Sequence, residues 1–131
     1  MSVMTLNRDK WKKFKETNNL SKSSFFNKAD VGPHIESFQK ALDACKKSPG
    51  QKSLMTCFTK ADDLNKAFKK FIALKETKDE LKQPAKTQLE EWSKELDAVV
   101  LGLAKLQKDS EKDLKAGDVT NLNKSLDEFI F

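Results

Sequence analysis

The sequence predicts an all-α fold: an elongated up-and-down bundle of four to five helices built on a long antiparallel helical hairpin. Three observations predict it. Only 4 Gly and 3 Pro interrupt 131 residues, and the remainder is rich in Lys, Glu, Leu and Ala, the residues that lose least on entering a helix. Apolar side chains recur every third or fourth position over most of residues 33–106, the period of a one-sided helix. The hydrophobic fraction of 37% is low for a sphere but suits long helices, whose surface is large for their volume. At 131 residues the chain reads as a single domain, 1–131, long enough to bury a core without covalent staples.

The first element expected is a basic amphipathic helix within residues 1–18. Thr5 offers an N-cap and Asn18-Asn19 a stop, since their side chains compete for backbone hydrogen bonds. Val3, Leu6, Trp11 and Phe14 would then share an arc of about 140°. Lys10 falls in the middle of that arc. A buried face tolerates it only if the ammonium reaches back to water, so this helix is expected to pack loosely or to face a partner. Residues 19–32, rich in Ser and Asn and carrying the adjacent Phe25 and Phe26, read as a loop.

Residues 33–116 are expected to form a three-helix core. Pro33 suits the first turn of its first helix, and Ile35, Phe38, Ala41/Leu42 and Cys45 make the stripe. Lys46 and Lys47 favour the negative end of the helix dipole, and Ser48-Pro49-Gly50 breaks the chain. The next helix should run from about Ser53 to Lys82, with Leu54, Cys57/Phe58, Ala61, Leu64, Phe68, Phe71/Ile72 and Leu74 inward, until Pro84 turns it. From about 85 to 116, Leu89, Trp92, Leu96, Val99, Leu103 and Leu106 alternate by three and four, a heptad seam. The seam stops being apolar at Ser110 and Asp113. Gly117 is a helix stop and Asp118 a new cap, so residues 118–131 are expected to form a C-terminal helix through Val119, Leu122, Leu126 and Phe129/Ile130.

Site chemistry is sparse. Cys45 and Cys57, the only two cysteines, lie on facing stripes near one turn. They read as reduced core thiols, with a Cys45–Cys57 disulfide as the alternative. A bridge needs Cα atoms within about 7 Å, and facing helices lie about 8–10 Å apart. A metal site lacks ligands, because the single histidine, His34, sits about three turns from Cys45 and structural zinc wants four groups in close pairs. His34, next to Pro33, is expected to face solvent. Asp62/Asp63, Asp79/Glu80 and Glu90/Glu91 all have lysine neighbours and read as solvated helix faces. With no phosphate-loop, nucleophile-elbow or zinc-helix motif, no catalytic residue, metal or cofactor is expected, and the chain is not read as an enzyme.

Charge points to a partner instead. Residues 1–60 hold 12 basic and 5 acidic side chains, a balance of +7, whereas 61–131 hold 13 and 15, a balance of −2; together these give the net +5. The "RDKWKKFK" stretch sets Arg8, Lys10, Lys12, Lys13 and Lys15 around Trp11 and Phe14. Cations with aromatic anchors suit an acidic protein groove, so the expected function is non-enzymatic protein–protein interaction or a structural role (an adaptor, scaffold piece or inhibitor). Phe25 and Phe26 are included in that partner-binding set. Nucleic acid is the alternative partner, and a membrane surface ranks below both. The Leu89–Leu106 seam is either satisfied within the monomer or offered to a second copy. If the first helix serves a partner, removing residues 1–18 should leave the bundle's melting transition nearly intact. The longest apolar run, Ala98–Ala104, has seven residues against the 20 or so that span a bilayer. No apolar segment precedes the N-terminal charges. A reducing, cytoplasmic setting is therefore expected.

Overall fold

The computed structural model describes residues 2–3, 6–18, 30–74, 79, 81, 83–127 and 129–130. Among these are five helices: α1 Arg8–Thr17, α2 Gly32–Lys47, α3 Gln51–Ala73, α4 Ala85–Lys115 and α5 Thr120–Asp127. Two short strands, β1 Ser2–Val3 and β2 Phe129–Ile130, flank them. The fold is an all-α helical bundle. In the α3–α4 hairpin, Leu54 and Met55 lie beside Gln107 and Glu111 at one end. Asn65 meets Asp97 in the middle, and Phe68 meets Trp92 at the other end. That order requires antiparallel packing. Helix α2 lies along α3, α1 crosses onto α2, and α5 packs on α4 and α2.

The stripes do what their spacing implies. Ile35, Phe38, Leu42 and Cys45 are buried along α2, and Leu54, Cys57, Ala61, Leu64, Phe68 and Phe71 along α3. The whole Leu89–Leu106 seam of α4 faces this core. Its six side chains are buried within the one chain. Ser110 follows the seam inward and is buried too. At about 1.5–3 kcal/mol for each large apolar side chain removed from water, these stripes are the main driving force of the fold.

Several boundaries depart from the sequence reading, each for a local reason. Helix α1 starts at Arg8, because Asn7 rather than Thr5 caps it: Asn7 Oδ1 accepts the Lys10 backbone N–H at 2.9 Å. Val3 and Leu6 thus lie outside the helix. Trp11 and Phe14 remain, about 60° apart, and Lys10 falls outside that narrower arc and is exposed. Helix α2 begins at Gly32, one residue early. Helix α3 begins at Gln51 and ends at Ala73 instead of Lys82. Leu74 is extended (φ −62°, ψ 138°), which ends the helix there; the next apolar residue in the sequence, Leu81, is buried in the core. Helix α4 ends on Gly117, whose φ of +77° is the left-handed conformation glycine adopts cheaply, and Asp118 Oδ1 accepts the Thr120 N–H at 3.0 Å to start α5.

The C-terminal helix does not reach residue 131. It stops at Asp127, and Phe129–Ile130 instead pair in parallel with Ser2–Val3, Ser2 opposite Phe129 and Val3 opposite Ile130. The ladder supplies hydrogen bonds that a last helical turn would leave unmade, and it joins the two ends of the described chain. The expected loop over 19–32 lies outside the described residues up to 29.

Candidate functional site

The N-terminal helix is fixed from beneath. Trp11 and Phe14, 1% and 7% exposed, sit in a five-ring cluster with Phe68, Phe71 and Trp92. Trp11 stacks on Phe14 with ring centres 5.4 Å apart and stands edge-on to Phe68 at 6.0 Å and Phe71 at 5.8 Å. Phe14 meets Trp92 edge-on at 5.3 Å. Each such pair adds about 0.5–1.5 kcal/mol beyond burial. The two aromatics expected to be displayed as partner anchors are therefore core residues. The expectation that residues 1–18 are dispensable for folding falls with them.

A polar latch secures the same helix. Asp30 Oδ1 accepts from Trp11 Nε1 at 2.8 Å and from the Gly32 backbone N–H at 2.8 Å, and Oδ2 accepts from Lys15 Nζ at 3.1 Å. Burial raises the pKa of this carboxyl, but the hydrogen bonds from Trp11, Gly32 and Lys15, with the Lys15 charge, outweigh it and hold the group below its ordinary value. Lys15, three-quarters buried at its side chain, is thereby a structural cation. Asp30 carried one faint sign in sequence: an Asx residue shortly before Gly32-Pro33, the place for a turn that caps a helix.

What remains outward on α1 is cationic. Lys10, Lys12 and Lys13 are exposed, and none forms an ion pair with another described residue. Arg8 is also exposed and reaches Glu36 at 3.8 Å, a surface pair worth little. Phe25 and Phe26 lie outside the described residues. The predicted partner-binding set thus divides into three: a buried part (Trp11, Phe14, Lys15), a displayed part (Lys10, Lys12, Lys13, with Arg8), and a part not described.

The cysteines are free thiols, both buried. Ser53 Oγ lies 3.6 Å from Cys45 Sγ and shares its single proton with the Ser48 and Gly50 carbonyls at 2.9 and 3.2 Å. Burial pushes the Cys45 thiol up, partly offset by Ser53 and the Gly50 backbone. Burial, with a smaller push from Cys45, drives Cys57 up to about 12. Outside this pair lies an open cleft of about 500 Å³ whose lining includes Ala41, Ala44, Ser53 and Thr56. His34 is exposed in the first turn of α2. Among the described residues no group of three His, Cys, Asp or Glu side chains is placed to hold a metal.

The remaining carboxylates behave as helix-face charges. Asp62 pairs with Lys66 at 2.9 Å, and Asp63, Asp79, Glu90 and Glu91 are exposed; Glu80 is not described. One polar contact was not foreseen. Asn65, 9% exposed, donates from Nδ2 to Asp97 Oδ1 at 3.1 Å, and Lys69 Nζ binds the same oxygen at 2.7 Å. The Lys69 and Asn65 hydrogen bonds lower the Asp97 carboxyl. Asn65 Oδ1 is buried without a partner. Its signal in sequence was a polar residue at three-and-four spacing between Ala61 and Phe68.

No helix among the described residues is long and apolar enough to cross a membrane. No family model matches the sequence, and comparisons with curated proteins and with solved structures return no match.

Proposed function

We propose that this is a non-enzymatic interaction protein whose first helix docks on an acidic protein surface through Lys10, Lys12 and Lys13. One observation supports this reading above the others: α1 is bound to the bundle by Trp11, Phe14 and the Asp30 latch, while its three exposed lysines project from that fixed backbone. A cationic group on a rigid element loses less freedom on binding than one on a loose arm, and complementary charge sets approach and register. The burial of both aromatics counts against nucleic acid, since Trp11 and Phe14 are unavailable for stacking on bases. Three lysines alone would neutralise about three phosphates, a salt slope of roughly −2.7, well short of a dedicated duplex binder.

The test is charge reversal, Lys10→Glu, Lys12→Glu and Lys13→Glu together, in the full chain. The expected result is an unchanged melting transition, lost binding to a glutamate-rich synthetic peptide, and lost capture of a partner from nuclease-treated lysate of the source cell. Equal peptide binding by both chains would refute the assignment. Retention on duplex DNA at low salt that the triple variant loses, without peptide binding, would favour the nucleic-acid alternative.

A further inference from the structure

The two thiols are placed for chemistry with each other. Cys45 lies two residues before the last residue of α2, and Cys57 occupies the seventh position of α3. Ser53, whose hydroxyl touches the Cys45 sulfur at 3.6 Å, precedes Cys57 by four residues. Side chains at that spacing share one helix face about 5–6 Å apart, so Cys45 points at the α3 face that carries Cys57. The neighbouring residues are small: Ala41 and Ala44 on α2 and Ser53 on α3 line a cleft that also reaches Thr56, beside Cys57. The Cys45 charge acts on the Cys57 thiol, so the two groups lie within electrostatic reach across the α2–α3 contact, whose Cα separation must come within about 7 Å for a bridge.

We propose that Cys45 and Cys57 are an oxidisable pair that closes to an intramolecular disulfide by exchange with a small disulfide such as oxidised glutathione, stapling α2 to α3 beside their turn. This inference is independent of the docking reading. The Cys45 thiolate attacks one sulfur of the oxidant, forming a mixed disulfide and releasing one glutathione thiolate, which takes up a proton. The Cys57 thiolate then attacks the Cys45 sulfur, the protein disulfide forms, and the second glutathione leaves. Two protein thiols are oxidised and one glutathione disulfide is reduced. Cys45 leads because the Ser53 hydroxyl stabilises its anion and because the cleft opens beside it. Both sulfurs are fully buried, so the first step waits on local opening of the Ser48–Gly50 turn.

The experiment incubates the folded full-length chain with oxidised glutathione. It follows free thiols under denaturant, intact mass, non-reducing electrophoresis and melting temperature. The expected result is loss of both thiols together, a mass lower by two hydrogens, a monomeric band, and a melting temperature raised by several degrees and restored by reductant. In Cys57→Ser the reaction should stop at a glutathione adduct on Cys45. A stable adduct on the native chain, a disulfide-linked dimer, or two thiols that survive oxidant at temperatures just below melting would each overturn the proposal. If the serine variant does not fold, the mass and thiol count of the native chain decide alone.

Discussion

The two ends of the bundle are built on different principles. At the α1 end, five aromatic rings from α1, α3 and α4 interlock, and a partly buried carboxylate ties Trp11 to Lys15 and to the start of α2. At the α2–α3 turn the core holds no aromatic ring among its buried residues: Leu42, Leu54 and Leu106 pack with the two thiols and Ser110, with an open cleft outside. Large rings supply area and directional contacts, so the first end should resist opening. Small side chains supply little of either, so the second should be where the molecule opens first. The comparison separates two demands that one amphipathic pattern cannot distinguish: a stripe says which face is inward, but side-chain size along it decides how firmly each end is shut.

The largest effect that could break this contrast is Trp11→Ala. Truncating a buried tryptophan typically costs about 3–5 kcal/mol, and here Asp30 would lose a bond as well; a denaturant midpoint barely displaced would show that the aromatic end is not the anchor. Cys57→Ala at the opposite end should cost far less, on the order of 1 kcal/mol, because little side-chain volume is removed. Amide exchange of the native chain would sharpen the same point, with α2–α3 turn amides exchanging before those of Trp92 and Phe68.

The Asp30 latch adds a pH test. Its carboxyl is held below the ordinary value of 3.8, so the unfolded chain binds its proton first as pH falls. The latch therefore contributes fully above that value, and its contribution fades below it as pH drops toward the folded-state pKa. Asp30→Asn should lower stability at neutral pH by about 1 kcal/mol and flatten the acid limb of the stability curve. An acid limb identical to that of the native chain would remove the latch from the account.

The smallest expected effect lies between the ends. Asn65→Leu should be near neutral or stabilise by up to about 1 kcal/mol, since it removes a buried carbonyl oxygen with no partner at the cost of one bond to Asp97. If the Asn65–Asp97 contact sets the α3–α4 register, the variant should also broaden the amide spectrum. A sharp spectrum with a large loss of stability would mean the pair holds the hairpin together.

Much of this was legible. The α4 seam, the Ile35–Cys45 stripe and the Gly117–Asp118 boundary followed from local spacing and cap chemistry. The direction Trp11 faces did not, because its ring partners Phe68, Phe71 and Trp92 lie more than fifty residues away in sequence and a lysine in the same arc pointed the other way. Moving Val3 out of the helix resolved that conflict, and it moved because a strand partner existed at Ile130. The end of α3 was missed because the composition after Leu74 stays helix-forming, whereas the backbone already turns extended at Leu74; propensity alone does not place a helix end. The aromatic neighbours of the α1 lysines were given the wrong task, since interleaved Trp and Phe look the same whether they serve a core or a partner.

The parallel pairing of Ser2–Val3 with Phe129–Ile130 makes the described chain almost a ring, its two ends about 5 Å apart across one strand spacing. A fusion attached at one end therefore stands against the other. Conversely, joining the ends through a few glycines and cutting at Pro49-Gly50 should give a circular permutant that keeps every helix and the terminal pairing, with its new termini at the α2–α3 turn.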